Sequence, residues 1–211
     1  FEAMAVIGSH LGLIYWIDEN WLAGNAQQLF HLEGIKESPL MAQGWAAWNA
    51  FLVWLRPHIE FYKIFKEQFA YAVAQSAQIR LTERAHEQPM HHLGEHLMIL
   101  YGRGQLGLDE DKGLLRRFLA DSNADIRRHA IGFIGRSLAG DEKLPDEVVN
   151  RFQTLWDMYW ASAGKKDAAE KPDAWLFGTW FSSGQFPEQW ALERLASLVE
   201  VTPTPEPDHA I

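Results

Sequence analysis

Leu114-Leu115-Arg116-Arg117-Phe118-Leu119-Ala120-Asp121-Ser122-Asn123-Ala124-Asp125-Ile126-Arg127-Arg128-His129-Ala130-Ile131-Gly132-Phe133-Ile134-Gly135 is the stretch that decides the fold class. Its apolar residues recur at three- and four-residue steps, the period of a helix with one buried face. Leu115, Phe118 and Leu119 form the inward face of a first helix, and Ile126, Ala130, Phe133 and Ile134 that of a second. Between them Asp121-Ser122-Asn123 supplies three side chains that bond their own backbone and cap helices. Ala130 and Gly135 are small enough to admit the first helix at close range. Arg127, one turn into the second helix, is placed to reach an Asp in its own or a neighbouring turn.

This hairpin resembles a HEAT repeat. In that family an Asp closes the first helix, and a hydrophobic-Arg pair, followed three residues later by Ala, opens the second. Asp121, Ile126, Arg127 and Ala130 stand at those places. The resemblance spans about 30 of the 211 residues. It implies an all-α fold of stacked antiparallel helical hairpins, a HEAT-like superhelix. At ~40–47 residues per unit, four or five such units fit the chain. It also implies a long inner surface that suits a partner rather than a deep catalytic cleft.

Outward from the hairpin the pattern stays helical. Pro89 to about Tyr101 precedes it, and Gly102, Gly104 and Gly107 interrupt the chain. That glycine spacing is G-x-G-x-x-G, but it follows a helix instead of a strand, so it reads as a helix terminator. Downstream, Pro145–Ala163 is expected to end at Gly164-Lys165-Lys166, and Asp173–Ser183 and Pro187–Val199 make a further pair. Upstream, Ala3 to Asp18 is apolar nearly all round and reads as one buried helix. Trp21–Leu32 follows. Ser38-Pro39 opens a helix to Leu55, since Ser caps and Pro suits the first helical position. His58 to Arg84 reads as the longest helix of all. The expected divisions are an aromatic-rich part at 1–88, repeats at 89–201 and a Pro-rich connector at 202–211. The chain begins inside a helical pattern and ends on what reads as the start of another, so a piece of a larger multidomain protein is expected, with any enzymatic domain elsewhere.

Composition narrows the class. Lys and Arg number 19 against 28 Asp and Glu, a net charge of −9, with 47% hydrophobic residues and no cysteine. Ten Trp, 12 Phe and 5 Tyr exclude a disordered chain. The missing cysteines exclude a disulfide scaffold, a thiol enzyme and a Cys-ligated zinc finger. No apolar run reaches ~18–20 residues, so no membrane span and no membrane partner are expected. Glu2 sits where a signal peptide carries positive charge, and a cytoplasmic location is expected.

Three groups of residues invite chemistry. His92-Leu93-Gly94-Glu95-His96 has the H-x-x-E-H pattern, with His92 and His96 as metal ligands and Glu95 as base of a zinc-dependent hydrolase. His86 and His91 thicken that cluster, the sequence identifies no third ligand although Glu170 lies at a plausible distance downstream, and a histidine-covered helix face is the plainer reading. From 103 to 136 seven basic residues meet five acidic ones, and Arg116, Arg117, Arg128 and Arg136 make a local positive island for nucleic acid. Trp175, Phe177, Trp180, Phe181, Phe186 and Trp190 are either a peptide groove with Trp175, Trp180 and Trp190 as anchors, or core. The expectation is a non-catalytic interaction, scaffold or sensor region with no cofactor, binding a protein partner or other domains of its own chain. Nucleic-acid binding and zinc hydrolysis are the alternatives.

Overall fold

The computed structural model describes residues 2–33, 38–78, 88–140, 142–170 and 173–201, the side chains of 162–170 and of 201 excepted. All regular structure among the described residues is helical. His86 and the 202–211 connector lie outside those residues, as do the side chain of Glu170 and the end of the helix expected to reach Arg84. The chain forms two compact units, Phe1–Ala130 and Ile131–Ile211. The division falls inside a helix and not at 88/89, because the helix that starts at Pro89 packs on the helices before it.

In the first unit, α1 (Glu2–Ser9) and α2 (Leu11–Ile17) replace the single helix expected over Ala3–Asp18. His10 sits at φ −110°, ψ 14°, and the ring Nδ1 of His10 and the hydroxyl of Ser9 both bond the Val6 carbonyl, at 2.9 and 2.8 Å. Side chains that bond back onto the preceding turn bend helices. Asp18 then caps α3 (Glu19–Phe30), accepting the Trp21 N–H at 2.8 Å. Ser38 caps α4 (Pro39–Trp54) through the Met41 N–H, with Pro39 at its first position. The long helix expected from His58 is two, α5 (Ile59–Ile64) and α6 (Lys66–Ser76), broken at Phe65 (φ −108°, ψ 23°). Phe65 is fully buried, edge-on to Phe30 at 4.8 Å and Phe51 at 5.3 Å. The aromatic core accounts for the break, since ring burial outweighs helical continuity here.

α7 (Pro89–Gly102) ends as expected at its glycines: Gly104 takes φ +71°, and the N–H groups of Gln105 and Leu106 return to the Leu100 carbonyl. It packs on α4, on α6 and on α8 (Glu110–Asp121). Before α8 turns right-handed at Leu114, Asp111, Lys112 and Gly113 are all left-handed, at φ +50°, +60° and +69°. The Asp111 carboxylate holds that turn, accepting the Tyr62 hydroxyl and, at 2.8 Å, Lys66 Nζ. In α9 (Ala124–Leu138), Asn123 Oδ1 caps Asp125 N–H at 2.9 Å. Arg127 donates to the Ser122 carbonyl at 2.8 Å, closing the end of α8. Ala130 of α9 and Phe118 of α8 both face Gly94 of α7. A Cβ on Gly94 of α7 would stand 2.7 Å from that of Ala130, so the small pair lets α7 and α9 touch.

The second unit continues α9 from Ile131 and adds α10 (Asp146–Glu170), a 3-10 turn (Ala174–Phe177), α11 (Gly178–Phe181) and α12 (Glu188–Val201). α10 runs on through Gly164-Lys165-Lys166, which were expected to end it. One interior Gly costs only ~1 kcal/mol, and the Lys, Ala and Glu that follow favour helix. Gly135 meets Thr179 and Trp180 of α11. The core is Trp156, Phe177 and Trp180, with ring centroids 4.6–4.9 Å apart along that chain of contacts. No helix among the described residues is long and apolar enough to cross a membrane.

Candidate functional site

The arginines of the hairpin are engaged close to home. Arg116 Nε donates to Asp109 Oδ1 at 2.7 Å and Arg128 Nη1 to Asp125 Oδ1 at 3.1 Å. Arg127 closes its own turn, and Arg103 donates to the Pro57 carbonyl. Arg117 contributes to the field around Tyr62, and its Nε is buried. Arg136 is exposed on the part of α9 that belongs to the second unit. Arg116 and Arg128 thus sit in local ion pairs and Arg103 and Arg127 on backbone carbonyls, and each exposed pair contributes ~0–1 kcal/mol.

The H-x-x-E-H residues separate. His96 turns into the core, where its Nε2–H donates to the Leu52 carbonyl of α4 at 3.1 Å. Burial pushes its ring down to about 4, partly countered by that carbonyl. His92 stays on the surface side with Glu95, and the ring that joins them is His129 of α9. His92 Nδ1–H and His129 Nε2–H donate to the two oxygens of Glu95 at 2.8 and 2.7 Å. Burial raises the Glu95 carboxyl, but the His129 and His92 bonds outweigh it and hold it at about 2. His91 stacks on His129 at 4.2 Å and 9°, and burial followed by the His129 and His92 charges lowers its ring. Among the described residues no group of three His, Cys, Asp or Glu is arranged to hold a metal ion. The cluster clamps α7 to α9.

The aromatic stretch of the second unit divides as well. Trp180 is buried and donates Nε1–H to the Ile131 carbonyl at 2.9 Å. Phe177, Phe181 and Phe186 are buried, Trp190 is half-buried and stacked on Phe186, and Trp175 is exposed. Two hollows differ in lining: one of ≈ 210 Å³ brings His31, Glu33, Glu67 and Tyr71 together with Gln27, Gln28 and Gln68, and one of ≈ 330 Å³ is lined by Trp45, Met90 and Pro89 with Asn49, Gln75 and Gln88.

Reading Ala3–Asp18 as buried missed the most exposed apolar surface of the first unit. Gly8 of α1 lies against the backbone of Ala47 in α4, where a Cβ would come within 2.0 Å of the carbonyl oxygen. Tyr15 of α2 lies edge-on to Phe61. Those contacts bury Leu11 and turn Leu13, Trp16 and Ile17 outward, with Trp16 82% and Ile17 69% exposed. Trp21 lies in the first turn of α3, its N–H on the Asp18 carboxylate, and is 47% exposed. Val53 and Trp54 end α4, near the point where Gly12 of α2 meets Leu55, and Trp54 is 72% exposed. The signal was present: Val6, Leu13 and Ile17 lie on a second stripe, seven and four residues apart, opposite Leu11. In the second unit α12 exposes a smaller aliphatic stripe of Leu192, Leu195 and Val199.

Compared with protein-family models, curated proteins and solved structures, the chain matches none.

Proposed function

We propose that this chain is a non-catalytic, HEAT-like helical interaction module, a scaffold or sensor element that docks a protein partner on the face made by Leu13, Trp16, Ile17, Trp21 and Trp54. One observation carries this reading: three large apolar side chains on two turns of α2 stand in solvent, as does Trp54 at the end of α4, whose next residue Leu55 meets Gly12 of α2. Contiguous exposed apolar surface marks interaction sites, and Trp is the residue type most enriched among those that carry binding energy. The hairpin supports the repeat kinship, with Ile126 and Ala130 buried and Arg127 closing the turn. The polar clusters support a non-catalytic role, since Arg116 and Arg128 are paired, Arg127 closes its turn, and the His–Glu–His cluster joins two helices.

Affinity capture with the wild-type chain, beside Trp16→Ser and Trp54→Ser variants of unchanged helicity, tests the proposal. A stoichiometric partner retained by the wild type and lost from both variants supports it. Identical capture by all three overturns it.

A further inference from the structure

The surroundings of the exposed face specify the sign of what binds there. No lysine or arginine precedes Lys36, whereas Glu2, Asp18, Glu19 and Glu33 do. Asp18 and Glu19 follow Ile17 directly and are exposed. Glu60 faces Tyr15 from α5, and the nearby cation on that helix, Lys63, is already bound to Glu60 Oε1 at 2.8 Å. Arg56, two residues past Trp54 and beyond the end of α4, is an exposed cation at that end of the face. An apolar strip with an acidic margin, on a chain of net charge −9, is complementary to apolar residues flanked by positive charge.

Area narrows the partner further. Covering Leu13, Trp16, Ile17, Trp21 and Trp54 removes roughly 600 Å² of the module from water, taking ~150–250 Å² for a large aromatic side chain. Standard stable interfaces bury ~800 Å² per partner. The face is therefore short for a lasting dimer of this chain, whose two acidic margins would also repel, and it is long enough for one helical segment. Peripheral membrane helices set Lys and Arg against lipid headgroups, and α1–α2 has neither.

We infer that the α2–α4 face binds a basic amphipathic helix, with apolar residues at three- and four-residue steps laid along Leu13, Trp16 and Ile17, and Lys or Arg against Asp18 and Glu19. This rests on the docking reading above.

The probe is a labelled 18-residue Leu/Lys amphipathic peptide, with its Leu/Glu counterpart as control, titrated by fluorescence anisotropy into the intact chain. The Leu/Lys peptide should bind saturably at one site, about tenfold more tightly than the Leu/Glu peptide, and more weakly as salt rises. Trp16→Ala with Ile17→Ala should weaken it about tenfold, and Glu19→Lys about threefold, with circular dichroism unchanged. Equal binding of both peptides, or Leu/Lys binding indifferent to these variants, overturns the inference. Leu/Glu binding that is tighter and lost with Trp16→Ala overturns the charge assignment and leaves the docking face standing. Absence of peptide binding together with indifferent affinity capture removes both. Sedimentation with phosphatidylcholine–phosphatidylglycerol vesicles, or a dimer in velocity runs, lost in either case with Trp16→Ala, would assign the face to lipid or to a second copy and overturn the basic-helix inference.

Discussion

Replacing Trp16 and Trp48 separately by Ala asks the first unit which tryptophan it needs. Trp48 is fully buried, with Phe30, Phe51 and Phe69 at centroid distances of 5.1, 5.2 and 5.0 Å. Truncation returns roughly 200 Å² of apolar burial, which at ~25 cal/mol/Å² is about 5 kcal/mol, the upper part of the ~3–5 kcal/mol range for Trp→Ala in cores. Trp16 is 82% exposed, so under a fifth of its surface is covered. That is on the order of 50 Å², and its loss costs about 1 kcal/mol or less. Urea unfolding followed by far-UV circular dichroism separates the two. With a slope of ~2 kcal/mol/M, Trp48→Ala moves the midpoint by ~2 M, and Trp16→Ala by ~0.5 M or less. Trp16→Ala costing as much as Trp48→Ala would place Trp16 in the core and remove the docking face.

Gly94→Ala should destabilise by ~1–3 kcal/mol, because its Cβ would stand 2.7 Å from Ala130 Cβ and 2.8 Å from Phe118 Cζ. Gly24→Ala on α3 meets nothing within 4 Å and should raise the melting temperature through ~0.5–1 kcal/mol of helix propensity. Lys112→Gly, at φ +60° on an exposed residue, should be neutral to stabilising by ~1 kcal/mol in thermal melts. Acid should weaken the fold in two steps. His96, held near 4 and neutral in the fold, contributes stability fully present above its unfolded value of ~6.5 and lost as pH falls toward 4, on the order of 3 kcal/mol. Glu95, held near 2, contributes stability present above ~4.5 and lost as pH falls toward 2. Urea midpoints from pH 7 to pH 4 check the first step, and His96→Gln should flatten it. A slope unchanged by that substitution would contradict the assignment.

The parts of the fold legible in the sequence are those where local chemistry decides. Ser38-Pro39, Asp121-Ser122-Asn123 and the glycines after Tyr101 act through caps and backbone freedom within a few residues, and each starts or stops a helix where expected. The breaks at His10 and Phe65 were hidden because tertiary packing and side chains bonded back onto the preceding turn decide them. The same limit applies to the candidate sites. Helical spacing places His92 and His96 on one face, yet four residues span 400° of helix, and that 40° offset lets His96 turn to Leu52 while His92 stays with Glu95. His129 reaches Glu95 from 34 residues away, and no periodicity announces that. The exposed face of α2 was misread because an uncharged helix looks buried whichever of its sides is covered.

Photo-crosslinking tests the central claim most directly. A benzoylphenylalanine placed at position 16 or 54 in the chain, expressed in its native cell, should give a discrete adduct with one protein partner on irradiation, while the same group at exposed Gln27 or Asp157 gives none. Adducts equally abundant from all four positions, or absent from 16 and 54, would contradict the account.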